Sequence, residues 1–281
     1  RMLADSVPPF SAAFFRFLFA AACLYILVVR REGKFPKLGR QQVLPVALLG
    51  LTGVFAYNVF FFNGLKLITA GRASIIIANN PIIISLFSAL FFKESLSPAK
   101  AVGILISVAG AVTAISGGDP MALFAGGIGI GDLYIFCCVL SWSAYTLIGK
   151  RVMRDLSPLA AVSYSAAFGV SALLIPACME GMPAAVPGYS LLDWGNLAYL
   201  GLFGTVLGFV WYYEGIRVIG PSRASLFINF VPISAIGLAH IILKEPVTVS
   251  LLVGGILVIT GVTLNHLANS GVRGFKSKVR V

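Results

Sequence analysis

Nine apolar stretches follow one another along the chain, separated by short polar breaks. They run approximately over residues 9–29, 43–65, 73–92, 101–116, 131–149, 158–179, 197–216, 222–243 and 247–267. A surface helix of a soluble protein shows a polar face at 3.6-residue spacing, whereas these stretches are apolar all round. A helix of about 20 apolar residues spans the hydrocarbon core of a bilayer. The pattern therefore predicts an all-α polytopic membrane protein. The short breaks make most helices near-antiparallel neighbours.

The polar breaks also repeat. Arg72-Ala73-Ser74, Pro81 and Lys93-Glu94 return at a constant offset of 151 as Arg223-Ala224-Ser225, Pro232 and Lys244-Glu245. The same offset pairs Gly50, Gly53, Gly64, Gly103 and Gly110 with Gly201, Gly204, Gly215, Gly254 and Gly261, and 17 of 61 positions from Gly50 to Gly110 are identical. A fixed-offset match of this length predicts two copies of one unit. At an offset of 150, Arg151, Asp155 and Pro158 align with Arg1, Asp5 and Pro8, yet only the second copy has an apolar run, residues 131–149, before this segment. A first helix of about 20 residues is thus expected ahead of Arg1. The expected whole has ten transmembrane helices in two five-helix repeats, nine of them in this chain. The repeats cover residues 1–116 and 129–267, and a basic tail covers 268–281.

Composition agrees with the pattern. The chain is 58% apolar and 11% charged, with a mean hydropathy of +0.95, whereas soluble domains carry about 25% charged residues. The net charge of +11 sits in short loops and the C-terminal tail. It lies on no face with interleaved aromatics, so it reads as topology-setting charge and not as a nucleic-acid surface. With the 30–42 loop placed in the cytoplasm, 16 Lys/Arg fall on the cytoplasmic side and four (Arg1, Lys66, Arg72, Lys244) on the other. This split predicts a cytoplasmic C-terminus. Five helices per repeat is an odd number, so the second repeat enters the membrane inverted. Inverted repeats are a device of secondary transporters, whose halves rock about a central site.

Polar groups inside a bilayer are costly and are functional candidates by default. Tyr57, Phe61, Asn79, Trp142, Tyr145, Tyr212 and Asn229 are the expected substrate-binding set, lining a cavity of aromatic rings and a few amides. Such a lining suits a small zwitterion or an amphipathic solute with a flat apolar part. Pro81 and Pro232 remove a backbone hydrogen bond inside their helices and are the expected hinges. Arg16, a third of the way along its helix, could snorkel, pair with a carboxylate or bridge the bundle, and is read as structural. Trp194 and Tyr199 fit an interfacial belt. No carboxylate falls at mid-membrane, so proton coupling through a buried acid is not expected.

Gly129-Ile130-Gly131-Asp132 matches the GxGD string of intramembrane aspartyl proteases, but no second membrane aspartate accompanies it. There is no P-loop. Cys23, Cys137, Cys138 and Cys178 lie in apolar runs without metal-ligand spacing and are expected as reduced packing residues. His240 and His266 stand alone at helix ends. Neither cofactor nor metal is expected, and the oligomeric state is left open.

The paired repeats, the R-A-S…P…K-E pattern at 72–94 and 223–245, and G-D-L…S-W-S-A-Y-T at 131–146 resemble the drug/metabolite transporter superfamily, specifically its EamA-type branch. The resemblance covers essentially the whole chain. It implies ten helices, cytoplasmic termini and ATP-independent export of metabolites from a bacterial inner membrane. Within the branch the chain is most similar to exporters of aromatic and other neutral amino acids. A nucleotide-sugar or sugar-phosphate carrier is the alternative, and a receptor or intramembrane enzyme a more distant one.

Overall fold

The computed structural model describes residues 6–92, 98–119, 128–225, 228, 240–241 and 247–278. In chain order its main helices are α1 (Pro9–Glu32), α2 (Arg40–Leu49), α3 (Tyr57–Leu65), α4 (Ala70–Ile77), α5 (Asn80–Phe92), α6 (Pro98–Ile115), α7 (Ile130–Val152), α8 (Pro158–Met179), α9 (Leu191–Tyr199), α10 (Gly208–Ile219) and α11 (Val249–Lys278). Two π-helical segments, Gly50–Ala56 and Leu200–Leu207, join α2 to α3 and α9 to α10 without a break. Among the described residues six helical stretches are long and apolar enough to cross a membrane, and Ala101–Ala114 and Val249–Leu264 are shorter apolar helices. These eight match eight of the nine expected stretches. The other, 222–243, lies mostly outside the described residues. The protein is an all-α polytopic membrane protein.

Local signals set the helix ends. Pro9 opens α1 with its fixed φ, Arg30 and Arg31 face the negative end of the helix, and Gly33 ends it at φ +76°. The polar break between the stretches 158–179 and 197–216 supplies caps. Glu180 Oε2 accepts from the backbone N–H of Phe10 (2.8 Å) and Ser11 (3.2 Å) at the start of α1. Ser190 and Asp193 form a capping box that starts α9 at Leu191, six residues before the expected apolar onset.

The chain divides into two compact units that do not follow the sequence repeats. One comprises Arg1–Phe62 with Ala144–Pro221, the other Asn63–Ser143 with Ser222–Val281, so each draws on both repeats.

In the first unit α1 packs along α8, the first π segment packs on α8, and the second packs on α1. The π segments occupy the same place in the repeat, since Gly50–Ala56 shifted by 151 is Gly201–Leu207. Their contacts repeat as well. A Cβ on Gly50 would stand 2.8 Å from the Ser165 carbonyl of α8, and one on Gly201 would stand 2.8 Å from the Arg16 carbonyl of α1. Both positions need glycine because two backbones meet there. Runs of π-helix are rare and concentrate at functional places, so a register-matched pair is structural evidence for the duplication. Phe17, Ala20, Leu24, Ala160, Ala161 and Leu173 fill the α1–α8 core.

In the second unit α6 and α11 form the main seam. A Cβ on Gly110 would stand 2.6 Å from the Gly254 carbonyl, and one on Gly261 would stand 2.4 Å from the Gly103 carbonyl. Without a hydrophobic drive in lipid, such close small-residue crossings hold helices together by dispersion. Ile75, Ala78, Ile82, Ala114, Val258 and Val262 make the adjoining core.

Candidate functional site

The expected site residues fall on both units and have different surroundings. In the first unit Tyr57 and Phe61, one turn apart on α3, stack with centroids 5.7 Å apart and planes 14° apart. Both are half-buried. Tyr212 on α10 is also half-buried, and its hydroxyl is 3.0 Å from Thr146 Oγ1 on α7. These three rings keep accessible surface.

Tyr145 does not. It is 0% exposed, its ring lies 4.8 Å from Tyr213 and 5.8 Å from Phe209, and its hydroxyl sits 3.4 Å from Ser165. Tyr213 donates to the Tyr145 carbonyl at 3.1 Å. Tyr145 therefore departs from the lining expectation: it fills the hollow that Gly53 leaves by lacking a Cβ, which would stand 2.2 Å from the ring. Gly149 leaves a matching hollow for the Tyr213 hydroxyl. The sequence shows the helical spacing of these tyrosines but not which face of α7 is covered.

In the second unit Trp142 is half-buried on α7. Asn79 is occupied by backbone repair. Pro81 has no N–H to give the Ile77 carbonyl one turn back, and the helix breaks at Ala78–Asn79 between α4 and α5. Asn80 Nδ2 donates to that Ile77 carbonyl at 2.8 Å. Asn79 Nδ2 donates to the Ile75 and Ile76 carbonyls at 3.0 and 3.3 Å, and its Oδ1 accepts from Ser107 of α6 at 3.1 Å. Both groups of the Asn79 amide are thus engaged by protein. The break stands immediately before Pro81, where the hinge is expected. Asn229 and Pro232 lie outside the described residues.

Among the described residues two ion pairs tie charged groups together, whereas Arg16, inside the apolar run of α1, makes none. Arg72 clasps Asp132 bidentately, with Nε and Nη2 each 2.7 Å from a carboxylate oxygen, and Asp132 also accepts from the Gly129 N–H at 2.9 Å. Asp132 is 4% exposed. The aspartate of the GxGD string is therefore a helix cap and ion-pair partner tying α4 to α7. Sixty residues separate the pair, and only the fold joins them. Glu214 pairs with Arg217 at 2.6 Å on an exposed face, a contact of little energetic weight. Trp194, expected in an interfacial belt, packs edge-on against Phe15 and Phe19 of α1 at 4.9 and 6.1 Å.

The exception is Arg16 on α1. Its Nε donates to Thr205 Oγ1 in the second π segment at 2.8 Å, and its guanidinium lies 5.1 Å from the Phe17 ring centroid. Sequence reading gave Arg16 no partner because Thr205 lies 189 positions away. A groove of about 540 Å³ at the start of α2, lined by Arg40, Gln42, Arg151 and Asp155 among others, holds none of the expected site residues. Among the described residues no cluster of three or more His, Cys, Asp or Glu could hold a metal.

Comparison with known proteins places this arrangement. Residues 1–116 and 129–267 match the EamA-like transporter family. A Bacillus subtilis protein named "Uncharacterized transporter YyaM" is 30% identical over 264 residues, spanning 94% of this chain and 85% of the relative. The B. subtilis "Uncharacterized transporter YetK" is 28% identical, spanning 92% and 80%. A crystal structure 22% identical in sequence superposes with a TM-score of 0.63 over 94% of this chain and 89% of its own, which shows the shared fold. With both repeats matched and transporters as relatives along nearly its whole length, the chain belongs to the EamA-like transporter family and is a membrane transporter.

Proposed function

We propose that this transporter is a secondary exporter of small metabolites, aromatic and other neutral amino acids, working by alternating access in a bacterial inner membrane with its C-terminus in the cytoplasm. The duplicated unit is the observation that carries the reading. The same 151-residue offset relates the motifs and the two π segments, and two copies of one unit in opposed orientation can open a site to either side in turn. The 16-to-4 division of Lys and Arg supports the opposed orientation. Half-buried Tyr57, Phe61, Trp142 and Tyr212 support a flat apolar moiety in the substrate. The break before Pro81 supports bending there, with Pro232 as its counterpart in the second repeat.

The test is counterflow in proteoliposomes loaded with a panel of neutral and aromatic amino acids. Flux above protein-free vesicles for at least one aromatic member, lowered about tenfold or more by Trp142→Ala or Tyr212→Ala at normal expression, is the expected result. Absence of flux for the whole panel overturns the substrate assignment. Normal flux in both variants overturns the lining.

A further inference from the structure

We infer that Arg16 is the carboxylate anchor of this transporter, holding the anionic end of its substrate between Nη1–H and Nη2–H. The inference rests on the transport reading above and names the chemical class that the site selects.

Arg16 lies seven residues into α1, about 10 Å along the helix axis at 1.5 Å per residue. A guanidinium at that depth costs several kcal/mol unless it faces protein or water, so such residues mark substrate paths. It faces protein, with the second π segment beside it. Its one hydrogen bond among the described residues is from Nε to Thr205. The residue as a whole is half-buried. Of the unit's described acids, Glu32 accepts from Ser157, Glu180 from the start of α1, Asp193 from Ser6 and Ser190, and Glu214 from Arg217. Asp155 lines the groove at the start of α2. Arg16 forms no ion pair among the described residues.

What holds Arg16 also aims it. Thr205 fixes the Nε edge and the Phe17 ring lies against the cation, which leaves the end-on Nη1/Nη2 fork, the pair of parallel donors that matches a carboxylate. Gly204 keeps the approach clear, since a Cβ there would stand 3.8 Å from Nη2 and a longer side chain would extend into that space. Tyr57, one of the accessible rings, belongs to the same unit as Arg16. A carboxylate and an aromatic ring thus find their partners within one unit. A single guanidinium balances one negative charge, which favours a monoanionic carboxylate over a phosphate monoester.

The experiment uses the whole protein in detergent and in proteoliposomes. Benzoate is the probe for binding, with benzyl alcohol and phenyl phosphate as controls, read as a shift in thermal unfolding. Benzoate should stabilise the wild type, Arg16→Gln should abolish the shift, Arg16→Lys should keep part of it, and Thr205→Val should weaken it without removing the charge. In transport, Arg16→Gln should raise KM about 10- to 100-fold for the amino acid of highest flux, as expected for losing a charge-assisted bidentate pair. Transport of its decarboxylated amine should change little. No benzoate shift in the wild type overturns the proposal, as does an equal shift in Arg16→Gln. A larger shift with phenyl phosphate than with benzoate overturns the carboxylate assignment in favour of phosphate. Absence of amino-acid flux alongside an Arg16-dependent benzoate shift would remove the proposed substrates while leaving the anchor intact.

Discussion

Gly53 and Gly204 occupy the same position of the two repeats, yet alanine should act on them in opposite ways. A Cβ on Gly53 would stand 2.2 Å from Tyr145 Cδ2 and 2.4 Å from Cγ, far inside van der Waals contact. Tyr145 cannot swing aside: it is 0% exposed, packed on Tyr213 and Phe209, and tied through its own carbonyl to the Tyr213 hydroxyl. Overpacking of this kind costs roughly 1–3 kcal/mol, and the better helix propensity of alanine returns up to about 1 kcal/mol. Gly53→Ala should therefore lose about 1–2 kcal/mol net, a roughly 5- to 30-fold change in the folded-to-unfolded ratio. A Cβ on Gly204 would meet its nearest neighbour, Arg16 Nη2, at an ordinary 3.8 Å. Gly204→Ala should be neutral or stabilising by up to about 1 kcal/mol. The assay is equilibrium unfolding in mixed micelles with increasing denaturing detergent, followed by tryptophan fluorescence. Combining Gly53→Ala with Tyr145→Leu should show a coupling of about 1 kcal/mol or more, because the smaller side chain relieves the clash. Equal losses at the two glycines, or no coupling to Tyr145, would refute the reasoning.

Arg72→Ala should cost about 3 kcal/mol by leaving Asp132 buried without its partner, Arg72→Lys should recover only part because the clasp is bidentate, and the same unfolding assay checks both. Asn80→Leu should destabilise by about 1–2 kcal/mol by orphaning the Ile77 carbonyl, and adding Pro81→Ala should restore much of it by returning a backbone donor; a double variant no more stable than the single one would contradict this. Single cysteines at the exposed positions Lys37 and Ala184 should be labelled from opposite sides of the membrane, the first from the cytoplasm, and labelling of both from one side would end the inverted arrangement.

Most of the secondary structure could be read in the chain, since each span is a run of apolar residues about as long as a bilayer is thick, and polar breaks there have few alternatives. The duplication was equally plain, because a constant offset needs no three-dimensional knowledge. The π segments carry paired glycines in the sequence, but glycine spacing does not say which helix approaches or that the ladder gains a residue. Tyr57, Phe61 and Tyr212 were identifiable as polar or aromatic groups in apolar runs, and each is half-buried in the fold. Tyr145 and Asn79 share the same local signal and turned out to be a core filler and a backbone repair group. Composition and spacing fix how much polar chemistry a helix carries, while packing decides whether it meets a neighbour or open space. That difference also separates the charges. Asp132 and Arg72 looked like a motif fragment and a loop charge until the fold set them 2.7 Å apart. Arg16 looked like a lone charge in an apolar run until the fold set its Nε 2.8 Å from Thr205. The sequence alone therefore determined the solvent, the helices and the repeat, which follow from local hydropathy and chain order. Only the tertiary structure decided which polar groups satisfy one another, because partners 60 to 189 residues apart are brought together by helix packing.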